Sequence, residues 1–340
     1  MSFLIKHFGG INAIFQANEK DLTACGLKSE VIRQLRQPDA KLIKSQLLWS
    51  QQPNQHIITL EHEIYPSILK TIPDPPPVLF IKGDPLVLSS PQLAMVGSRR
   101  PSPGGLKVAM ELAAALSRCG LIITSGLANG IDGACHRGAL SVTGKTVAVL
   151  GCGLNRTYPP SHRVLADQIV QNGALISEFP PDTAPLAGYF PRRNRIISGI
   201  SQGVCVIEAG LSSGSLITAA LALEQAREVF AVPGSILNPM TRGCHYLIQQ
   251  GAKLVTCVED ILSELKHGSN QWCIIPSNHQ PVELDSHCHQ LLQCVGFEST
   301  PMDLLVQRSG FSIAQVTEWM VTLELNGYVS SSPGGYHRLL

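Results

Sequence analysis

Leu93-Ala94-Met95-Val96-Gly97-Ser98-Arg99-Arg100-Pro101-Ser102 reads as a short buried strand that runs straight into a glycine- and serine-bearing turn. An amphipathic stretch over 105–118 then continues as a helix. A strand handing over to a helix through a tight polar turn is one βα unit. The same pattern recurs on both sides of it. Strands are expected at 78–81, 93–96, 121–124, 146–150, 174–176, 204–207, 229–232 and 253–255, and helices at 105–118, 131–140, 161–171 and 215–227. Strands alternating with helices predict an α/β fold around a doubly wound parallel sheet.

The flanks differ from this middle. Residues 1–75 are polar and helical in pattern, with the turns Phe8-Gly9-Gly10 and Cys25-Gly26-Leu27, and end at Pro73, Pro75, Pro76 and Pro77. Residues 76–268 hold the sheet. Periodicity fades over 269–296, which reads as a linker. Residues 297–340 then give helical patterns at 301–307 and 313–325, followed by two short strand patterns around a Ser-Pro-Gly-Gly turn, the layout of a winged helix.

Composition narrows the function. Apolar residues are 44% and charged residues 15% of the 340, enough to bury a core and too apolar for a disordered chain. Lys+Arg 26 against Asp+Glu 25 leaves a formal charge of +1, so nucleic acid could be held only through local patches and not by bulk charge. No uncharged apolar run nears the roughly 18 residues that cross a bilayer. The 10 cysteines include no Cys-x-x-Cys pair, and Cys119, Cys152, Cys205 and Cys257 sit in or beside apolar runs. A reduced, cytoplasmic protein is expected, with no membrane partner.

In an open parallel sheet, ligands sit where strand C-termini meet helix N-termini. Glycine and serine cluster at four such places, 97–104, 125–131, 151–156 and 212–215. Small residues let backbone N–H groups approach an anion, and the helix dipole favours it. Arg99 adds a bidentate fork. Phe190-Pro191-Arg192-Arg193-Asn194-Arg195 packs three more guanidinium groups beside an apolar segment. Other chemistries find less support. Asp132 and His136 share a helix face, yet aspartate is favoured in a first turn anyway. Gly151-Cys152-Gly153 lacks the third glycine of a dinucleotide fingerprint. Gly210-Leu211-Ser212-Ser213-Gly214 is a nucleophile-elbow pattern with Asp260 and His267 downstream, without an oxyanion-donating glycine run. Cys273, His279, His287, Cys288, His289 and Cys294 lack zinc-site spacing, so no metal is expected. No catalytic residue and no cofactor emerge.

Several motifs are distinctive together. They include Gly97-Ser98-Arg99, Ser125-Gly126-x-Ala128-x-Gly130-Ile131-Asp132 and Gly151-x-Gly153 before Tyr158-Pro159. Further along come Ser177-Glu178-Phe179, Phe190-Pro191-x-Arg193-Asn194-Arg195, Ser213-Gly214-Ser215 and Val232-Pro233-Gly234. In this order they resemble the DNA-processing protein A family (DprA, also called Smf), densely over 56–262. The resemblance implies an extended Rossmann-like domain that binds single-stranded DNA, forms homodimers, and protects incoming DNA and loads the RecA recombinase in natural transformation. It also implies a sterile-alpha-motif-like domain in front and a winged-helix-like domain behind. The chain starts almost at Phe8-Gly9-Gly10, so the first helix of that front domain is expected to be short or missing, with residues 1–70 packing on the core.

Gly97, Ser98, Arg99, Ser125, Gly126, Gly130, Gly151, Gly153, Arg193, Asn194, Arg195, Ser213, Gly214 and Ser215 are the expected DNA contacts. His245, Leu247, Ile248 and Leu254 are the expected dimer surface. The competing reading is a nucleotide phosphoribohydrolase-like enzyme on a related sheet. Such enzymes carry a catalytic glutamate in the loop where 212–219 here has none.

Overall fold

The computed structural model describes residues 2–265, 284–297, 299–332 and 334–338. Short helices come first: α1 (Ser2–Phe8), α2 (Ile11–Gln16), α3 (Glu19–Ala24), α4 (Ser29–Arg36) and α5 (Ala40–Ser50). Gly9 makes the first turn with φ +79°, a conformation that favours glycine. Ile14, Leu22 and Ile32 close a small core of their own. Helix α5 ties this region to the sheet. Its Trp49 packs edge-on against Phe80 and donates its indole N–H to Asn155 Oδ1 at 2.9 Å.

The middle of the chain runs β1 (Gln55–Thr59), α6 (Ser67–Lys70), β2 (Val78–Gly83), β3 (Gln92–Val96), α7 (Pro103–Arg118), β4 (Ile122–Ser125), α8 (Ile131–Ser141) and β5 (Thr146–Val149). It continues with α9 (Arg163–Asn172), β6 (Gly173–Ser177), α10 (Tyr189–Gly199), β7 (Gly203–Val206), α11 (Gly214–Glu224), β8 (Glu228–Ala231), α12 (Arg242–Gln249), β9 (Lys253–Leu254) and α13 (Val258–Leu262). One sheet forms, in the order β1-β2-β6-β5-β4-β3-β7-β8-β9.

From β6 across to β9 every pairing is parallel, as the alternation predicts. β2 joins β6 antiparallel, and β1 joins β2 antiparallel at the edge. The edge strand Gln55-His56-Ile57-Ile58-Thr59 is absent from the expected strands because only Ile58 of the five is fully buried. Alternate residues of each strand feed opposite layers, as pleating requires. Ala94 and Val96 pack with α10 and α11, whereas Leu93 and Met95 pack with α7 and α8.

Strand order reverses between β3 and β7. The chain builds outward from β3 through β4, β5 and β6, then returns to β3's other side with β7. Val96 and Val206 face each other across that seam, so the loops leaving both strands emerge together. An open sheet holds ligands at such a switch point.

Two expectations are corrected here. Leu247 is not on a surface: it is 6% exposed and belongs to the core, because α12 turns Cys244 and Leu247 inward together. Of its dimer-surface companions, Leu254 is exposed, Ile248 is partly buried against the core, and His245 bonds through Nε2 to the Gly234 backbone. The second correction concerns the linker. Within 269–296, Ser286–Cys294 is a helix, α14. Cys288, Leu291 and Leu292 recur at helical spacing and bury against α15 (Met302–Ser309) and α16 (Ile313–Leu325). Those helices and the hairpin of β10 (Val329–Ser332) with β11 (Gly335–Arg338) complete the winged-helix layout. His267, Cys273 and His279 lie outside the described residues.

Candidate nucleic-acid interface

At the β3–β7 switch point lies an open cleft of about 780 Å³. Its walls come from the loop after β3, the start of α10, the loop after β7 and the first turn of α11. The β3 loop is locked in place by backbone. Ser98 N donates to Glu208 O at 2.7 Å, and Ile131 N donates to Ser98 O at 3.1 Å. Gly130, φ +80°, is required at this crossing, since a Cβ there would stand 2.3 Å from Ser98 O. Gly97 is equally confined, between Ile131 and Glu208 O.

Three groups give the cleft its chemistry. Arg99 is exposed at the mouth, with its guanidinium 5.9 Å from the Phe190 ring centre, within cation–π reach. Phe190 in turn tilts against Tyr158 with centroids 5.3 Å apart. On the far wall, Ser213 caps α11, accepting from Ser215 N at 3.3 Å, and Gly214 faces open space. A helix N-terminus with a small-residue approach suits an anion.

The third group is Arg193, which reaches the cleft from beneath and is 4% exposed. It donates through Nη1 to Gly126 O at 2.8 Å and also to Val149 O, and through Nε to Asn194 Oδ1 at 3.3 Å. Burial pulls its pKa down to about 10, with Asp132 opposing and Arg99 adding to the fall, so it stays cationic at neutral pH. Asp132 also lines the cleft. Its Oδ2 accepts from Gly126 N and Ala128 N at 3.1 and 3.3 Å, and burial raises its pKa.

Of the expected contacts, the fold brings Gly97, Ser98, Arg99, Arg193, Asn194, Ser213, Gly214 and Ser215 onto the cleft. The others stand behind it. Ser125 is fully buried and donates to Met95 O at 2.6 Å. Gly126 makes room for Arg193, because a Cβ there would lie 2.6 Å from the guanidinium nitrogens. Gly151 backs onto the Phe190 ring, and Gly153 fits under the Pro180 and Pro181 carbonyls, which a Cβ would meet at 2.2 Å.

Arg195 is a correction. Its guanidinium is turned away and forms a bidentate pair with the buried Glu178 at 2.6 and 2.8 Å, and a further pair with Asp74 at 3.3 Å. Helix geometry splits the cluster: Arg192 and Arg195, three positions apart, share Glu178 on one side of α10, while Arg193 points to the other.

Among the described residues, Asp260 is engaged by Thr256 and Cys257 at the start of α13, and it does not line the cleft that holds Ser212. His136 is fully buried on Thr146 Oγ1 at 2.7 Å and does not line the cleft. Among the described residues no group of histidine, cysteine or acid could hold a metal, and no helix is long and apolar enough to cross a membrane.

Sequence reasoning missed Tyr158, Glu208 and Asn238. Phe190 and Tyr158 were legible in principle, as two of the few aromatics beside glycine loops. Glu208 was visible as the residue that opens the Glu208-Ala209-Gly210 loop after a strand, but nothing in that motif marks it as a brace. It is 2% exposed, with Oε2 accepting from Ser102 N at 2.8 Å and Oε1 from Asn238 Nδ2 at 3.1 Å. It thereby joins the start of α7 to the loop that precedes α12.

Comparison with known proteins agrees with this architecture. The family model for DNA recombination-mediator protein A matches residues 56–266, and that of the DprA winged helix domain matches 276–335. Protein Smf of Escherichia coli is 48% identical over 304 residues, covering 88% of this chain and 81% of that protein. DNA processing protein DprA of Bacillus subtilis is 46% identical over 216 residues, covering 63% and 73%. Among solved structures, DNA processing protein A from Streptococcus pneumoniae superposes with TM-score 0.65 at 42% identity, covering 70% of this chain and 82% of that one. The protein of that name from Helicobacter pylori, studied for its single-stranded DNA binding mode, gives TM-score 0.56 at 31% identity, covering 62% and 95%. The chain, with its switch-point cleft and its winged-helix tail, belongs to the DNA processing protein A (DprA/Smf) family.

Proposed function

We propose that the switch-point cleft binds the backbone of single-stranded DNA and that the protein delivers the covered strand to the RecA recombinase. The observation that carries this reading is the convergence of Arg99, the buried Arg193 and the α11 N-terminus on one open cleft. Those groups seat phosphates, and the Phe190–Tyr158 pair offers ring faces to a base. An open cleft with several separate anion seats suits a flexible strand better than a stiff duplex. The relative from Helicobacter pylori, described for its single-stranded DNA binding mode, supports the same reading.

A homodimer fits alongside. Tyr246 and Leu254 are exposed apolar residues on α12 and β9, next to the partly buried Ile248. An isologous contact there would set two clefts on one strand.

The test is single-strand affinity across a salt series, with duplex as comparison. Binding to the single strand should weaken with a slope of about −0.7 per phosphate neutralised. Charge-assisted bonds of this kind are worth roughly 1.5–3 kcal/mol. Arg99→Ala should therefore bind about tenfold to a hundredfold more weakly, with Arg99→Lys recovering part. Equal affinity for duplex and single strand, or wild-type affinity in a folded Arg99→Ala protein, would refute the assignment.

A further inference from the structure

The loop from β8 to α12 reads Val232-Pro233-Gly234-Ser235-Ile236-Leu237-Asn238-Pro239-Met240-Thr241 and carries no charge. Ile236 is 79% and Leu237 83% exposed. Two adjacent large apolar side chains in water are unfavourable, and a slack loop could fold them away. This loop is braced. Thr241 Oγ1 donates to Ser235 O at 2.7 Å and to Asn238 O at 2.8 Å, Leu237 N donates to Ser235 Oγ at 3.2 Å, and Met240 N donates to Asn238 Oδ1 at 2.9 Å. The pair is displayed, not merely left over.

The bracing leads to the cleft. Asn238 Nδ2 donates to Glu208, whose other carboxylate oxygen holds Ser102 N and whose carbonyl holds Ser98 N. Met240, two residues beyond, lines the cleft itself. Leu211 on the adjoining loop is also exposed. An uncharged apolar lip therefore adjoins a cleft whose lining includes Arg99, Arg193 and the first turn of α11. A single strand presents that same pairing, phosphates on one side and unstacked bases on the other.

We propose that Ile236 and Leu237 form the base side of the cleft, a sequence-independent apolar seat for unpaired nucleobases. The inference rests on the single-stranded DNA reading above. The phosphates lie against Arg99 and the α11 N-terminus, and the neighbouring bases turn onto the lip. Apolar contact has no donor or acceptor to match, so every base is accepted.

The experiment compares oligothymidylate with an abasic deoxyribose-phosphate chain of equal length. Ile236→Ser/Leu237→Ser should stay folded, since neither side chain is in the core; Leu237→Ser alone is the milder variant. On oligothymidylate the double variant should bind about tenfold more weakly. Its salt slope should equal wild type, because no phosphate contact is lost. On the abasic chain the variant and wild type should bind alike.

Equal loss on both chains, a changed salt slope or wild-type affinity for oligothymidylate would overturn the lip. So would conversion of a dimer to a monomer by the double variant, which would assign the pair to an interface between copies. Failure of the wild-type protein to bind oligothymidylate would instead remove the single-stranded DNA reading, and the lip with it.

Discussion

Glu208→Gln is a small change with a calculable penalty. The carboxylate accepts on both oxygens, from Ser102 N and from Asn238 Nδ2. Glutamine supplies one acceptor and one donor, so its amide nitrogen must face one of those N–H groups. Asn238 cannot simply turn its own amide round, because its Oδ1 already receives Met240 N at 2.9 Å. One buried donor is left unmatched whichever way the new side chain sits. That costs about 1–3 kcal/mol, and for a domain of this size lowers the melting temperature by roughly 2–10 °C.

Adding Asn238→Asp restores the pairing. The glutamine amide then donates to one aspartate oxygen, and the other oxygen keeps Met240 N. The total charge is unchanged from wild type. The double variant should regain most of the lost stability, while Asn238→Asp alone sets two carboxylates face to face and destabilises. Urea unfolding followed by circular dichroism measures all four proteins. Wild-type stability for Glu208→Gln, or additive losses in the double variant, would refute the bonding scheme.

Other perturbations give distinct readouts. Glu178→Ala leaves the Arg195 guanidinium buried without its bidentate partner, which should cost about 3–5 kcal/mol in unfolding experiments. Leu247→Asp should unfold the sheet domain and not yield a folded monomer, whereas Tyr246→Glu should keep the circular dichroism spectrum and lower the mass seen by light scattering. His136 is held neutral by burial with its pKa lowered from 6.5 to about 3. The unfolded chain takes up that proton first, so stability falls as pH drops below about 6.5, by about 2 kcal/mol between pH 7 and pH 5. His136→Gln should flatten that dependence, and an unaltered pH profile would show the ring to be accessible.

The alternation of apolar runs and amphipathic stretches was enough to place the parallel strands, because buried parallel strands must be continuously apolar. It could not reveal that β2 enters antiparallel: strand direction depends on where the chain returns, and Val78-Leu79-Phe80-Ile81 reads the same either way. For the site, glycine loops marked the edge of the sheet at which the cleft opens but not which glycines face it. Gly126 and Gly153 are small because protein packs against them, Gly214 because nothing does, and the letter is identical. The arginine cluster shows the same limit. Arg193 and Arg195 are two positions apart, hence on different sides of α10, and what separates their roles is Glu178, seventeen residues upstream in another loop.

Arg193 is fixed before any ligand arrives. A surface arginine surrenders rotamer freedom of up to about 2 kcal/mol when it binds. Here the carbonyls of Gly126 and Val149 hold the guanidinium in the folded protein, so that ordering belongs to folding and is absent from association. The floor of the cleft is thus a preset field, and any ligand that meets it would have to supply the change of shape itself.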